Sequence, residues 1–340
     1  MGGGAARGAQ AAPRSHGASH PYPHERSAQR ISCAAVVLHA CLLLASALSY
    51  FQAIVLGLLQ GVTELFPISS LGHTVLFPTL FGWNGLVHAQ SQSESFWLAF
   101  VVMLHVGSAL GLLAYYWRDW VEIVTAFLRT LRTRRIESST ERLAWLIIAA
   151  NTPAGVIGLA LEHQLRTLTA KPEVAAVFLM VNGLLLAGAE RFRRRAEVRE
   201  LAIREGAKPD GARELRTLEY REALVIGAAQ STALVAGISR DGVTMGASLA
   251  RGLDHSDSAR FAFLLATPII LAAGIYKLPD LTGHLGNGIR GQAVVACAVA
   301  AVTAVFTVRF LVRYFKTRTL TPFAIYCLLF GLAMVIYTAI

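Results

Sequence analysis

The sequence predicts an all-α polytopic membrane protein, with about six spanning helices plus two re-entrant helical hairpins in inverted repeats. The first observation behind this prediction is composition: 54% of the 340 residues are hydrophobic and only 15% are charged. A soluble domain carries about 25% charged residues. The second is a series of apolar runs, several close to the length of about 20 residues that crosses a bilayer. The third is a polar motif that occurs twice.

The N-terminal part of the chain precedes these features. Residues 1–30 are rich in Gly, Ala, Arg, Ser and His, a composition that cannot bury a core and that predicts a disordered basic tail. Residues 31–48 are apolar. They are interpreted as an extra N-terminal apolar helix, as a signal-like leader or as the result of a misassigned start site, and the sequence leaves these three interpretations open.

The remaining apolar segments define the predicted spans. Two of them, 50–60 and 222–235, are too short to cross a bilayer comfortably and run directly into loops of Gly, Pro and Ser. Such interrupted segments are typical of helices that enter and leave a membrane on one side. The other six are predicted to cross it: 98–117, 143–161, 174–189, 259–278, 292–312 and 322–340.

The connections between spans predict the orientation. Basic residues are concentrated in 118–142, in 190–222 and just before the last span, whereas 81–97 has no Lys or Arg. Because basic loops remain in the cytoplasm, these three connections are predicted to be cytoplasmic and 81–97 to lie outside. Topology thus explains the formal net charge of +10, and no nucleic-acid partner is predicted for this multi-pass plasma-membrane protein.

A motif of the form Gly-x-x-Gln-x7-Ile-Ser-x-x-Gly occurs twice, beginning at Gly57 and again 170 residues later at Gly227. Each copy is followed by three predicted spans. A half with three crossings reverses direction, so the two halves are predicted to be inverted relative to each other. The predicted organisation is a first repeat over 49–190, a cytoplasmic loop over 191–221 and a second repeat over 222–340.

Two re-entrant loops, 60–73 and 236–244, are therefore expected to meet near the membrane midplane, where inverted-repeat proteins place their sites. An ionisable group at the bilayer centre costs about 2.5 to 3.5 kcal/mol, so polar groups there face a cavity or a partner. Glu64 and Arg240 are expected to pair. If this ion pair served only to hold the two loops together, the other polar residues of the loops would be unexplained. These residues are Gln60, Ser69, Ser70, His73, Ser239, Asp241 and Thr244.

These residue types fit a phosphate ester or anhydride. Arg240 offers a planar fork of donors for phosphate oxygens, and Ser70 can attack phosphorus if Glu64 or His73 takes its proton. A carboxylate beside phosphate also favours Mg²⁺ or Ca²⁺, so Glu64 is a candidate metal ligand. Backbone amides turned toward the anion are expected at three glycines, which are Gly72, Gly237 and Gly242.

The two loops resemble the motifs of the bacterial undecaprenyl-diphosphate phosphatases, a family linked to bacitracin resistance. Residues 60–73, QGVTELFPISSLGH, match the family motif (E/Q)-G-x-T-E-x-x-P-(I/V)-S-S-x-G-H. The second family motif, P-G-x-S-R-S-G-x-T, is matched by AGISRDGVT at 236–244. The resemblance extends over residues 50–340, with further similarity in HVGSALG at 105–111, FLLATP at 263–268 and TPFAIY at 321–326.

The resemblance implies an enzyme that hydrolyses undecaprenyl diphosphate at the outer face of the bacterial plasma membrane. Its product, undecaprenyl phosphate, would be reused as carrier lipid for cell-wall synthesis, and Mg²⁺ or Ca²⁺ would assist; a homodimer is possible. By position, Glu64 is the implied essential carboxylate, Ser70 the nucleophile and Arg240 the diphosphate clamp, with His73 in support. The predicted substrate-binding residues are Gln60, Ser69, Gly72, Gly237, Ser239, Asp241, Gly242 and Thr244.

The sequence departs from the family pattern at three positions, which are Leu71 for a hydroxylic residue, Ala236 for Pro and Asp241 for Ser. Gln60 occupies a position where Glu is common and Gln is tolerated. Asp241 beside Arg240 is expected either to neutralise the clamp or to help hold a metal. Two alternative functions stay open. Inverted repeats with re-entrant loops are typical of transporters, which allows a polyprenyl-phosphate flippase, and Asp241 allows a catalytically weakened paralogue that binds the lipid. His105, inside a predicted span, is interpreted as a hydrogen-bonding group of the bundle rather than as a ligand.

Overall fold

A computed structural model describes residues 48–91, 96–169, 171–203, 215–283 and 286–339. The predictions for the basic tail and for the apolar segment after it lie outside this range, residue 48 excepted. The described residues form twelve α-helices and no β-strand, which confirms the predicted all-α class. The helices are α1 Tyr50–Thr63, α2 Ser70–Leu80, α3 Asn84–Ser91, α4 Phe96–Tyr115, α5 Trp117–Thr133, α6 Ser139–Thr169, α7 Pro172–Ile203, α8 Tyr220–Gln230, α9 Arg240–Ala250, α10 His255–Thr282, α11 Arg290–Tyr314 and α12 Thr321–Ala339.

Six of these helices are long and apolar enough to cross a membrane. They are α4, α10, α11 and α12, together with Ser139–Leu161 of α6 and Pro172–Arg195 of α7. Each one contains or closely overlaps one of the six predicted spans, so the chain is a multi-pass membrane protein. The side of the membrane on which each connection lies stays a prediction.

The two segments that are too short to cross form pairs of short helices. α1 has 14 residues, which is about 21 Å of helix against a hydrocarbon core of about 30 Å. α1 and α8 begin 170 residues apart, and so do α2 and α9, the offset of the repeated motif. The pairs have the form expected of the two hairpins. Their re-entrant course through a bilayer, and the inversion of the two halves, stay predictions.

Some connections contain helix where the sequence predicted only loop. α5 occupies much of 118–142, α3 lies within 81–97, and α7 continues beyond its span to Ile203. α5 is amphipathic: its exposed apolar side chains recur at helical spacing at Trp117, Val121, Val124, Leu128 and Leu131. In such a helix the apolar residues of one face are separated along the sequence by charged residues of the other face. A search for continuous apolar runs therefore does not detect it.

Glycines allow the helices that carry the site to pack closely. A Cβ at Gly57 of α1 would lie 2.7 Å from the Ala296 carbonyl oxygen of α11, and one at Gly61 would lie 2.6 Å from that of Ala300. On α4, a Cβ at Gly107 would lie 2.3 Å from a carbonyl oxygen of the same helix, α11. Close approach through small residues is typical of membrane bundles. α11 therefore fixes α1 and α4, both of which contribute side chains to the site.

Candidate active site

The loops that follow α1 and α8 contact each other, as the sequence predicts. Asn182 of α7 lies between them: its Nδ2 donates to the Pro67 carbonyl at 2.9 Å, and its Oδ1 accepts from the Ser239 amide at 3.0 Å. A Cβ at Gly72 would lie 3.0 Å from the Cα of Gly237, so the two backbones touch there. The sequence analysis did not single out Asn182, although a polar side chain within an apolar span was the available signal.

Ser69 is the N-cap of α2, and its backbone conformation is strained. Its φ is +69°, which non-glycine residues rarely adopt. Its hydroxyl accepts from the amides of Gly72 at 3.2 Å and Gly237 at 3.1 Å, and its carbonyl accepts from the His73 amide at 3.2 Å. Backbone outliers of this kind cluster at functional sites. The hydrogen bonds fix the start of α2, and with it the position of the adjacent Ser70.

Four of the predicted side chains form one buried cluster around the carboxylate of Glu64. Its Oε2 accepts hydrogen bonds from Ser70 Oγ and, at 2.9 Å, from Gln60 Nε2. Its Oε1 accepts from Arg240 Nη2 across the loop interface, and Arg240 Nη1 donates to the Ala266 carbonyl at 3.4 Å. Glu64 and Ser70 are each 7% exposed. Both carboxylate oxygens therefore already have protein donors.

His105 of α4, interpreted from the sequence as a hydrogen-bonding group of the bundle, makes its contacts at this cluster. Its Nε2 lies 3.4 Å from Ser70 Oγ and 3.4 Å from Glu64 Oε2. Its Nδ1 lies 2.8 Å from the Val101 carbonyl oxygen. Because a carbonyl can only accept, Nδ1 carries a proton, and in the neutral ring Nε2 is the acceptor. That acceptor faces the Ser70 hydroxyl.

His73 is fully buried, but it directs both ring nitrogens away from Ser70. Nδ1 lies 2.7 Å from the Ser69 carbonyl oxygen, and Nε2 lies 2.8 Å from the Tyr326 hydroxyl. By the same reasoning Nδ1 donates, and Nε2 accepts from Tyr326. The rings of Tyr326 and Phe330 stack on the imidazole at centroid distances of 5.7 and 5.4 Å. The geometry favours His73 as a support for Ser69 rather than as the base for Ser70.

The glycine amides of the motifs are used within the protein, in contrast to their expected presentation to an anion. Gly72 and Gly237 donate to the hydroxyl of Ser69, and Gly242 donates to that of Ser239 at 3.1 Å. The two serines thereby cap α2 and α9 in the same way. These glycines contribute to the site by allowing the loops to approach, since Gly237 has a φ of +102° that favours glycine.

Asp241, where the family pattern has Ser, is buried beside the clamp. Its Oδ1 lies 3.5 Å from Arg240 Nε, and neither of its oxygens has a hydrogen-bond partner among the described residues. The hydroxyl of Thr244, one turn further along α9, is buried in the same unpartnered state. Burying a carboxylate without hydrogen bonds is costly. Asp241 therefore supplies two acceptors that remain open to a ligand at this site, in addition to the unpartnered Oε1 of Gln60.

The arrangement suits phosphoryl transfer, which depends mainly on positioning and charge stabilisation. Ser70 supplies a hydroxyl already hydrogen-bonded to a carboxylate, and His105 supplies a second acceptor next to it. Arg240 supplies a guanidinium 17% exposed at its side chain, whose planar fork matches phosphate oxygens. The formal charges of Glu64, Asp241 and Arg240 leave one negative charge before any substrate or cation binds.

Comparison with known proteins gives consistent matches. The family model for the bacitracin resistance protein BacA matches residues 53–333. Undecaprenyl-diphosphatase 2 of Frankia alni is 52% identical over 330 aligned residues, covering 84% of this chain and 96% of that protein. The undecaprenyl-diphosphatase of Mycolicibacterium paratuberculosis is 51% identical over 304 residues, covering 86% and 98%. Undecaprenyl-diphosphatase 2 of Chromobacterium violaceum is 42% identical over 291 residues, covering 84% and 98%. This chain therefore belongs to the bacitracin resistance protein BacA family.

Proposed function

We propose that this protein is an integral membrane phosphatase that hydrolyses undecaprenyl diphosphate to undecaprenyl phosphate and inorganic phosphate. The observation that carries the proposal is the buried cluster in which one carboxylate, Glu64, binds both the Ser70 hydroxyl and the Arg240 guanidinium. The relatives at 42 to 52% identity are named for this substrate. A cluster within a membrane bundle also suits a diphosphate whose lipid chain stays in the bilayer.

The proposed reaction proceeds in two displacements. Ser70 Oγ attacks the terminal phosphorus, and its proton passes to Glu64 Oε2, which already accepts its hydrogen bond. The bond from that phosphorus to the bridging oxygen breaks, and the bridging oxygen leaves with undecaprenyl phosphate. A water oxygen then bonds to the phosphorus of phosphoserine and the phosphorus–Oγ bond breaks. The proton on Glu64 returns to Oγ, and inorganic phosphate leaves with both water protons.

Arg240 and His105 are proposed to assist this sequence. When the diphosphate binds, Arg240 would share its donors between Glu64 and the non-bridging oxygens, and thereby stabilise the charge that develops there. His105 Nε2, held as an acceptor by the bond from Nδ1 to Val101, would orient the Ser70 hydroxyl and, in the second displacement, the attacking water.

Replacing His105 with Ala is expected to lower kcat for phosphate release about 100-fold, the lower range for loss of a general acid–base group. KM should change little, because His105 contacts the Ser70 hydroxyl rather than a substrate-anchoring group. His105→Gln, which keeps a polar group at that distance, should retain more activity than the Ala variant. The control is His88→Gln, at an exposed histidine of α3. Equal activity of His105→Ala and the wild type would remove His105 from the mechanism.

A divalent cation, Mg²⁺ or Ca²⁺, is proposed as cofactor, and the residues fit it at Asp241 rather than at Glu64. Both Glu64 oxygens have protein donors, whereas both Asp241 oxygens lack hydrogen bonds within the described chain. Hard cations take carboxylate and hydroxyl oxygens, so Asp241 and Thr244 would hold the ion. Among the described residues no group of three or more His, Cys, Asp or Glu suits a metal, so water and phosphate would complete its shell. When bound, the ion would neutralise negative charge on the diphosphate.

Replacing Asp241 with Asn should raise the cation concentration for half-maximal phosphate release at least about 10-fold, because loss of even an outer-shell partner of a metal ligand costs about 10- to 100-fold in affinity. The measurement is a titration of activity with Mg²⁺ and with Ca²⁺. Asp280→Asn, at an aspartate near the end of α10, is the matched control. Asp241→Ser restores the family residue. If Asp241→Ser raises turnover and leaves the cation concentration for half-maximal release unchanged, Asp241 only weakens the Arg240 clamp, and the protein is a weakened paralogue.

The orientation is proposed from charge. With the basic connections in the cytoplasm, the site would be reached from the outer face, and the undecaprenyl phosphate it produces would be available for reuse as carrier lipid in cell-wall synthesis.

The test is phosphate release by the purified full-length protein in lipid nanodiscs, with undecaprenyl diphosphate as substrate and with Mg²⁺, Ca²⁺ or chelator present. The proposal expects cation-dependent release of inorganic phosphate. In parallel, the protein in sealed vesicles is assayed for movement of undecaprenyl phosphate between leaflets. Lipid movement without phosphate release from a folded sample would contradict the proposal and support a flippase.

A further inference from the structure

A polar cavity lies where the apolar part of α7 ends, α10 begins and α11 connects to α12. It has a volume of about 330 Å³, within the range of small-ligand sites. His255 of its wall lies eleven residues before Ala266, whose carbonyl contacts Arg240. Eleven residues of helix span about 16 Å, so the cavity is separate from the catalytic cluster. Its cationic wall residues are Arg193, Arg194, Lys316 and Arg318.

The acidic groups of this cavity are already used by the protein. Glu190 is 5% exposed, and its Oε2 accepts from His255 Nε2 at 2.9 Å and from the Leu320 amide at 3.4 Å. Its Oε1 lies 3.7 Å from Arg194 Nε. Asp254 caps α10 by accepting from the amide two residues beyond His255, at 2.6 Å. These carboxylates therefore organise the wall, and Glu190 pairs with one of its cations, Arg194.

One of the cations is held in place by this organisation. Because His255 donates from Nε2 to Glu190, its Nδ1 is an acceptor, and that nitrogen binds Arg193 Nη1. The chain of contacts from Glu190 through His255 to Arg193 joins α7 to the start of α10. These contacts orient the Arg193 guanidinium at the cavity wall. Because the side chain is already ordered, little conformational entropy is lost there when a ligand binds.

Two further cations have no such partner. Lys316 and Arg318 are exposed in the short connection between two spans, α11 and α12, and neither has an ion-pair partner in the part of the chain that the structure describes. The N-terminus of α10, with its partial positive charge, opens at the same place through His255 and Ser256. The cavity thus carries an excess of positive charge at the level where spans end.

We infer that this cavity binds a phosphate group, carried either by the head group of an anionic phospholipid or by free inorganic phosphate. Phosphate matches the Arg forks, which donate in pairs to tetrahedral oxyanions. Basic pockets between membrane helices at the head-group level bind phosphorylated head groups. The inference does not depend on the reaction proposed for the catalytic cluster, since none of the residues that line the cavity belongs to that cluster.

The test compares two double variants of the full-length protein that remove the same charge. Lys316→Gln with Arg318→Gln changes the cavity, and Arg132→Gln with Arg135→Gln changes exposed arginines at the end of α5, outside it. One arm measures binding of radiolabelled inorganic phosphate to protein in phosphatidylcholine nanodiscs. The other measures phosphatidylglycerol retained per protein after extraction from bilayers of equal parts phosphatidylglycerol and phosphatidylcholine. Thermal unfolding checks that each variant is folded.

In one of the two arms, the cavity variant is expected to bind phosphate or phosphatidylglycerol about 30-fold more weakly than the α5 variant does. The reason is that it lacks two cations that attract the anion. Weaker binding in the phosphate arm identifies free phosphate as the ligand, and weaker retention in the lipid arm identifies the head group. Phosphate bound at the catalytic cluster contributes equally to both variants, so failure of the proposed function does not affect this comparison. Equal binding by both folded variants in both arms would overturn the inference.

Discussion

Replacing Ser70 with Ala is expected to lower kcat for phosphate release at least about 1,000-fold, since loss of a nucleophile leaves only what binding and charge stabilisation provide. Ser70 is 7% exposed, and its hydroxyl is hydrogen-bonded to Glu64 and lies 3.4 Å from the acceptor nitrogen of His105. The change removes one oxygen and leaves the cap made by the preceding Ser69 intact. The variant should therefore fold, bind undecaprenyl diphosphate and fail to release phosphate.

The matched control is Ser108→Ala, which removes a buried hydroxyl one turn beyond His105 on α4. Among the described residues, that hydroxyl donates a hydrogen bond to its own helix, at a marginal 3.5 Å from the Leu104 carbonyl oxygen. It should keep activity within about 3-fold of the wild type, as expected for a weak helix-internal hydrogen bond. If Ser70→Ala retained activity within the same range, water rather than Ser70 would be the nucleophile. If the wild type and Ser70→Ala both moved lipid and neither released phosphate, a flippase would be the better description.

The sequence predicted the features that depend on local pattern. The spans follow from the length of apolar runs, so the predicted segment 98–117 corresponds to α4 at Phe96–Tyr115. The pairing of Glu64 with Arg240 followed from the cost of leaving either charge alone at membrane depth, and the two side chains do form an ion pair. The 170-residue offset of the motif also recurs in the starts of the short helices.

Features that depend on packing could not be predicted from the sequence alone. His105 reaches the site because the face of α4 that carries it turns toward the first loop, and Gly107 two residues later sets that face by its close contact with α11. The sequence around His105 does not show which helix Gly107 packs against, so this rotation could not be predicted from it. His73 was predicted near Ser70 because it is close in the chain, but Tyr326, 253 residues away, takes its acceptor nitrogen. The glycine amides were likewise predicted to face a ligand, whereas in the structure they donate to the hydroxyls of Ser69 and Ser239.

Replacing Arg240 with Gln is expected to lower kcat about 1,000-fold or more, the range found when a transition-state arginine is removed. It should also destabilise the fold, because removal of one partner of a buried ion pair costs about 3 to 5 kcal/mol. Here Glu64 would keep its bonds to Ser70 and Gln60 but lose its only cationic contact on Oε1 among the described residues. Activity alone therefore cannot separate a catalytic arginine from a structural one, and thermal unfolding must be measured alongside it.

The double variant Glu64→Gln with Arg240→Gln makes that separation. With both charges removed, two amides can share a hydrogen bond across the loops, and the midpoint of thermal unfolding should recover most of the loss, as neutral replacements of buried ion pairs often do. Catalysis should not recover, because neither a carboxylate for the Ser70 proton nor a cation for the phosphate oxygens remains. Recovery of stability without activity assigns the pair to chemistry. Recovery of both would mean that Glu64 and Arg240 only pin the two loops together, and the mechanism built on them would be wrong.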